Sequence, residues 1–133
     1  MTKTLVEILD QRDIITARQA GRNMVRSLGF GSADQTRVAT AISELTRNVI
    51  QYAGEGVCII TDESNDSMNR IRVVVEDNGP GIADIDKAMM DGFSTGKSLG
   101  AGLPGTRRLA HEFEIESKPG HTKVSIVMKR RKL

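Results

Sequence analysis

The sequence predicts an α+β fold, a two-layer sandwich in which helices cover a mixed, mostly antiparallel sheet. Two long helical segments occur together near the start of the chain, before most of the strands. The later strands form two successive pairs, each joined by a polar loop or a turn, which is typical of antiparallel pairing. With 133 residues, the chain is long enough for one domain with a real core and too short for two. We therefore expect residues 1–133 to form a single domain.

The individual elements are predicted from residue patterns and from the residues that end them. Apolar residues at helical spacing, between the candidate N-cap Asp13 and the terminating Gly29, predict the first helix. Runs rich in Val and Ile predict strands, and a polar run between two of them predicts a hairpin loop. The predicted elements, in order, are an edge strand at 4–9, a helix at 14–28, a helix from 32 or 34 to about 52, strands at 57–61 and 71–76 joined by a loop at 62–69, short helices at 84–90 and 106–113, and strands at 113–117 and 124–128.

Composition argues against several classes of function. The chain has 19 basic and 17 acidic residues, a formal charge of +2, unlike a dedicated nucleic-acid-binding protein. One Tyr, three Phe and no Trp offer little for stacking on bases. No apolar run approaches the roughly 18 residues of a membrane span, and the first residues do not resemble a secretory signal. The single cysteine, Cys58, lies in an apolar run and predicts a buried residue in a reducing compartment. We expect a cytoplasmic protein with no nucleic-acid or membrane partner.

The second predicted helix carries the first candidate site. Glu44 and Asn48 are four residues apart and therefore share a helix face, which borders the apolar stripe. Arg47 is expected on the opposite, solvent side. Glu44 could accept a proton from a hydroxyl or water nucleophile, and Asn48 could offer its amide oxygen to Mg²⁺. The alternative is an exposed helix face with ordinary polar residues.

The second candidate site is the sequence EDNGPGI at residues 76–82, which follows a predicted strand. Asp77 should emerge at the end of that strand, where its carboxylate could accept the exocyclic amine of adenine. Gly79 and Gly81 lack side chains that would block a flat ring. The alternative is a tight turn, for which glycine and proline are sufficient.

The third candidate site is a glycine-rich segment at residues 92–105. Seven of the 13 glycines lie between Gly79 and Gly105, and such a segment is costly to order unless a ligand compensates. The segment predicts a flexible flap that ends at the start of a helix. Backbone N–H groups there, and Lys97, suit phosphate oxygens. The spacing matches neither the Walker A nor the Rossmann pattern, and the alternative is a surface loop.

Together these patterns resemble the GHKL ATPase superfamily, which includes gyrase B, Hsp90, histidine kinases and MutL. The family's first motif matches Glu44 and Asn48, and its DxGxG motif matches residues 77–81. Its second glycine box matches residues 100–103, and its late threonine matches Thr122. The resemblance implies the Bergerat fold of that superfamily and the use of ATP with Mg²⁺.

The resemblance also implies a role for each matched residue. Glu44 would be the catalytic base, Asn48 would bind Mg²⁺, and residues 94–99 would form a lid. The residues implied in nucleotide binding are Asn48, Asp77, Gly79, Gly81, Ile82, Lys97, Gly100, Gly102, Leu103 and Thr122.

Longer stretches, such as TAISELTRNVIQYAGEG, resemble more narrowly the serine-protein kinases of bacterial stressosome modules. This resemblance implies a kinase that phosphorylates STAS-domain scaffold and antagonist proteins and, once released, activates a PP2C-type phosphatase. One alternative is an anti-sigma-factor-type binding protein with kinase activity, which would share the ATP site. A second is a stand-alone ATPase that dimerises on ATP, as MutL does.

A basic stripe on the first helix leaves two interpretations open. Arg18, Arg22 and Arg26 recur every four residues along that helix. They fit a solvated helix face, or alternatively a docking surface for an acidic partner.

Overall fold

Five strands form one sheet, and helices cover one of its faces. The computed structural model describes residues 2–82, 85–89 and 102–132. Its elements, in chain order, are β1 (Lys3–Ile8), α1 (Gln11–Ser27), α2 (Ser32–Tyr52), β2 (Gly56–Asp62), β3 (Met68–Asp77), α3 (Ile85–Ala88), α4 (Gly102–Leu109), β4 (Glu112–Lys118) and β5 (His121–Arg131). The strand order is β1-β2-β3-β5-β4, and every described pairing is antiparallel. The predicted two-layer α+β sandwich is confirmed, with β1 at an edge as expected.

The core lies between the sheet and the pair α1 and α2. Alternate residues of each strand point toward the helices, so Ile60 of β2 and Val73 of β3 are buried against apolar residues of α2 such as Ile42. Cys58 is fully buried in this cluster, as predicted, and its burial raises the pKa of its thiol to about 12. Arg18, Arg22 and Arg26 of α1 point away from the core and are exposed. None of the helices in the described ranges is long and apolar enough to span a membrane.

The start of α1 differs from the prediction. The N-cap is Asp10, whose Oδ1 accepts a hydrogen bond from the Arg12 backbone N–H at 2.8 Å. Asp13, the predicted N-cap, is the third residue of the helix, and its carboxylate accepts the Asp10 backbone N–H at 3.1 Å. The Asp10 carboxylate thus accepts a backbone N–H of the first helical turn, and the Asp13 carboxylate accepts the backbone N–H of the N-cap. This reciprocal arrangement is a capping box. Two acidic residues at this spacing both look like caps, and the prediction chose the wrong one.

The helix predicted at 106–113 lies earlier, at Gly102–Leu109. The predicted C-terminal end is wrong because Glu112 and Phe113 belong to β4, where they pair with Val127 and Ile126 of β5. The helix also begins within the glycine-rich segment, where Gly102 is its first residue. Pairing with a neighbouring strand thus overrides the local helical pattern after residue 109.

Candidate active site

A pocket of about 280 Å³ opens between the C-terminal half of α2 and the end of β3. Its walls are mostly apolar, with Leu45 and Val49 on the helix side and Val75 and Val124 on the sheet side. Seven residues that the sequence pointed to contribute to its lining: Asn48, Asp77, Gly81, Ile82, Gly102, Leu103 and Thr122. Residues from four separate elements and one connecting segment therefore meet at a single cavity.

Strand register explains why Asp77 and Thr122 meet. Asp77 is the last residue of β3 and pairs directly with Thr122 of β5, which in turn pairs with Ser117 of β4. Directly paired residues of antiparallel strands point to the same face of a sheet. That face is the helix side, because Asp77 is two residues beyond the buried Val75. The three polar side chains consequently form one row at the end of the sheet, beneath α2.

Hydrogen bonds fix this row in place. Asp77 Oδ1 accepts the Gly79 backbone N–H at 2.9 Å, so the turn that follows β3 orients the carboxylate. Ser117 Oγ accepts the Ile82 backbone N–H at 2.8 Å and lies 2.7 Å from Thr122 Oγ1. The pocket floor is therefore tied by side-chain bonds to the segment 79–82.

Glycine is required in this segment for reasons of packing. A Cβ at Gly79 would lie 2.6 Å from Ala53 Cβ, at the end of α2. Gly81 has φ +84°, and a Cβ there would overlap the carbonyl group of Lys118. Gly79 does not contribute to the described pocket lining; its missing side chain makes room for Ala53, a reason different from the one the sequence suggested.

Glu44 lies on α2 one turn before Asn48 and is buried, with 7% of its side chain exposed. It is not part of the described pocket lining. Its Oε1 is 2.8 Å from Arg47 Nη1, an ion pair between residues three apart on the helix. Arg47, which was expected on the solvent side, is partly exposed, and its guanidinium turns back along the helix to reach this carboxylate.

The phosphate side of the predicted site is described in part. Gly102 and Leu103 form the first turn of α4 and line the pocket. The first N–H groups of a helix lack acceptors within the helix, so this turn presents donors suited to an anion. Lys97, Gly100 and the predicted lid at 94–99 lie outside the described residues.

The donor set fits Mg²⁺ only if the nucleotide supplies most of its ligands. Within the described ranges, no group of three or more His, Cys, Asp or Glu residues could hold a metal ion. Mg²⁺ commonly keeps waters and binds one or two protein oxygens together with phosphate oxygens, so a single amide oxygen from Asn48 is compatible with such a site.

Two residues at the site were not assigned a role from the sequence. Tyr52 lines the pocket one helical turn after Asn48 and is 50% exposed, and the spacing of four residues along α2 was a usable signal for it. Ser117 reaches the site only through the pairing of β4 with β5, which no local pattern reveals.

Comparisons with known proteins agree with this architecture. The family model described as histidine kinase-, DNA gyrase B-, and HSP90-like ATPase matches residues 33–132. The serine/threonine-protein kinase RsbT of Bacillus subtilis (strain 168) is 49% identical over 118 residues, which cover 89% of this chain and 89% of that protein.

Two further similarities are more distant. An anti-sigma F factor of Thermoanaerobacter sp. (strain X514) is 38% identical over 87 residues, which cover 62% of this chain and 61% of that protein. The crystal structure of the RsbU and RsbW domains of Rv1364c from Mycobacterium tuberculosis superposes with a TM-score of 0.68 at 17% identity. It covers 98% of this chain and 33% of that one, and at this identity it supports the fold alone.

Proposed function

This chain belongs to the histidine kinase-, DNA gyrase B-, and HSP90-like ATPase family, and we propose that it is a serine/threonine-protein kinase that uses Mg-ATP to phosphorylate STAS-domain proteins. After their modification it is released and activates a PP2C-type phosphatase. The observation that carries this proposal is the single pocket into which Asn48, Asp77 and Gly102 converge. The 49% identity to the kinase RsbT supports the choice of a kinase among the functions of the family.

The adenine end of the proposed site is the row at the end of the sheet. The Gly79 backbone N–H donates a hydrogen bond to Oδ1 of Asp77. The other carboxylate oxygen accepts a hydrogen bond from the exocyclic amine of adenine. The apolar side chains of Val75 and Val124 lie against the faces of the ring. Thr122, held by its contact with Ser117, reads the ring edge through a water molecule. A flat, largely apolar group with a polar edge suits such walls.

The phosphate end is formed by Asn48 and the first turn of α4. Asn48 would hold Mg²⁺ through its amide oxygen, and the ion would supply positive charge beside the phosphate oxygens. The backbone N–H groups at Gly102 and Leu103 donate to those oxygens. Lys97, Gly100 and the lid at 94–99, which the family resemblance implies for this end, lie outside the described residues.

Glu44 acts as the general base in this scheme. Its place on α2, one turn before Asn48, puts it on the helix that lines the phosphate end. Arg47 fixes one carboxylate oxygen at 2.8 Å, so the carboxylate is oriented before the protein substrate arrives. It accepts the proton of the substrate hydroxyl as that oxygen bonds to the γ-phosphorus of ATP, while the bond from the γ-phosphorus to the bridging oxygen breaks and ADP leaves.

Transfer of labelled phosphate from ATP to a STAS-domain protein of the same organism tests the proposal. We expect Mg²⁺-dependent labelling of a serine or threonine by the wild-type chain and almost none by Glu44→Gln. A wild-type chain that binds ATP but labels no STAS-domain protein would refute the substrate assignment. We propose that this reaction takes place in the cytoplasm.

A second candidate function rests on the similarity to an anti-sigma F factor. A protein of that type would bind a sigma factor in addition to acting as a kinase, and it would bind ATP in the same pocket. Co-purification with the sigma factors of the source cell separates the two candidates. A stable complex with one of them would favour the second, and we expect no such complex.

A further inference from the structure

Ser117 lies between the pocket floor and the segment that follows β3. It is the next-to-last residue of β4, and its side chain is partly buried. Its Oγ accepts the Ile82 backbone N–H at 2.8 Å and lies 2.7 Å from Thr122 Oγ1. Ile82 and Thr122 both line the pocket, whereas Ser117 is not part of the described lining. Ser117 therefore contacts two residues of the pocket from outside the cavity.

The other contacts of the two hydroxyl groups decide which of them donates the hydrogen bond. A hydroxyl group has one proton to donate and two lone pairs that accept. One lone pair of Ser117 Oγ accepts the Ile82 N–H, which can only donate. Within the described ranges, Ser117 Oγ has no hydrogen-bond partner besides the Ile82 nitrogen and Thr122 Oγ1. The Ser117 proton is therefore satisfied when it is donated to Thr122.

This direction leaves the proton of Thr122 available to a molecule in the pocket. Thr122 Oγ1 makes no second hydrogen bond to the part of the chain that the structure describes, and Thr122 lines the cavity. The Ile82 N–H, the Ser117 hydroxyl and the Thr122 hydroxyl thus form a chain of donors that ends in the cavity. Each bond in such a chain polarises the next one, which strengthens the donor at its end.

Asp77 has the opposite hydrogen-bonding character and lies beside Thr122. A carboxylate only accepts hydrogen bonds, and strand pairing places Asp77 directly opposite Thr122. The floor of the pocket therefore offers an acceptor next to a donor. Adenine has the complementary edge, because its exocyclic amine donates and the neighbouring ring nitrogen accepts. Hypoxanthine has the reverse order, a carbonyl oxygen that accepts and a ring N–H that donates.

We propose that Ser117 is a positioning residue for base recognition. By donating to Thr122, it makes the Thr122 hydroxyl a donor, which adds to the preference of the pocket for a purine with an exocyclic amine over one with a carbonyl group at that place. This inference rests on the nucleotide site of the proposed function and adds a determinant of base selectivity to it. A water molecule between Thr122 and the base transmits the preference, because it accepts the Thr122 proton and turns its own protons toward the ring nitrogen.

Isothermal titration of the full chain with Mg²⁺ and either ADP or inosine diphosphate tests the proposal. The measured quantity is the selectivity ratio, the Kd for inosine diphosphate divided by the Kd for ADP. Ser117→Ala also leaves the Ile82 N–H without this acceptor, but that loss weakens both nucleotides alike and cancels in the ratio. Because Thr122 then turns freely between donating and accepting, Ser117→Ala should lower the selectivity ratio about 3- to 10-fold.

Two further variants separate this role from a general effect on the sheet. Ser117→Thr keeps the hydroxyl group and should retain the wild-type selectivity ratio. Ser125→Ala is the matched control, because Ser125 is a buried serine of β5 that lies on the opposite face of the sheet from Thr122. Its selectivity ratio should equal that of the wild type.

Thr122→Val shows whether Ser117 acts through Thr122. The valine has no hydroxyl group, so the addition of Ser117→Ala to Thr122→Val should cause no further fall in the selectivity ratio. A further fall in the double variant would overturn the inference. Equal losses of affinity for both nucleotides in Ser117→Ala would also overturn it, and the kinase proposal would stand.

These measurements need no protein substrate, so they do not depend on the assignment of STAS-domain proteins. A wild-type chain that binds neither ADP nor inosine diphosphate would overturn this inference together with the proposed nucleotide site. A wild-type chain that binds both equally well would overturn the inference and the adenine assignment of Asp77.

Discussion

Replacement of Asp77 by asparagine should weaken nucleotide binding without unfolding the protein. Asp77 Oδ1 accepts the Gly79 N–H at 2.9 Å, and an asparagine keeps this bond only if its carbonyl oxygen takes the same place. The new NH₂ group then points at the adenine amine, so a donor faces a donor. The loss of one hydrogen bond to a charged acceptor costs about 1.5–3 kcal/mol, which corresponds to a rise in the Kd for ATP of about 10- to 100-fold.

Isothermal titration with ADP, together with thermal unfolding of the nucleotide-free chain, measures both parts of this prediction. Asp66→Asn is the matched control, because it removes the same charge from an exposed residue of the loop between β2 and β3. Asp77→Ala should also lower Tm, since it leaves the Gly79 N–H without this partner. An Asp77→Asn variant that binds ADP as tightly as wild type would refute the adenine assignment.

Three further predictions address catalysis, the turn after β3 and the response to acid. Glu44→Gln should lower phosphoryl transfer in single turnovers by about 10²- to 10⁴-fold with nearly unchanged ADP affinity; an unchanged transfer rate would remove Glu44 as the base. Gly81→Ala should destabilise the chain by about 1–3 kcal/mol in urea unfolding, because φ is +84° and the new Cβ meets the Lys118 carbonyl; wild-type stability would contradict this. The hydrogen bond from Arg70 lowers the pKa of Glu112 from 4.5 to about 2. The stabilisation from the ion pair of Arg70 and Glu112 is therefore fully present above about pH 4.5 and is lost as the pH falls toward 2. Arg70→Met should flatten this part of an acid-unfolding curve followed by circular dichroism. An unaltered curve would argue against a stabilising role for this ion pair.

Most of the fold could be predicted from the sequence because its elements have strong local signals. The Val- and Ile-rich strands and the long apolar stripe of α2 agree with the structure to within a few residues. The errors occur where a local signal is ambiguous. Asp10 and Asp13 are both good caps, and only the reciprocal bonds between them show which one precedes the helix. Residues 112 and 113 fit a helix or a strand, and the partner strand β5 decides between them.

The candidate site was predictable as a set of motifs but not as a geometry. Asp77 and Thr122 are 45 residues apart, and only the register of β3 against β5 makes them neighbours. Ser117 was missed because its role depends on a second register, that of β4 against β5. The ion pair between Glu44 and Arg47 was missed because a helical wheel assigns a direction to each Cβ, whereas a long guanidinium side chain can reach across that division.

The same alternation along β3 determines both surfaces of the sheet. Val73, Val75 and Asp77 point to the helices, whereas Arg72, Val74 and Glu76 must point to the other side because strand side chains alternate. A shift of one residue in the pairing of β3 would exchange these sets, which would bury charges under α2 and remove Asp77 from the pocket. The buried valines therefore do more than fill the core: by fixing the register, they also place the carboxylate that we assign to adenine. Since Glu76 lies next to Asp77 but on the opposite face, its reversal should leave the ADP affinity measured by isothermal titration unchanged, and a loss as large as that of Asp77→Asn would show that the two faces are not independent.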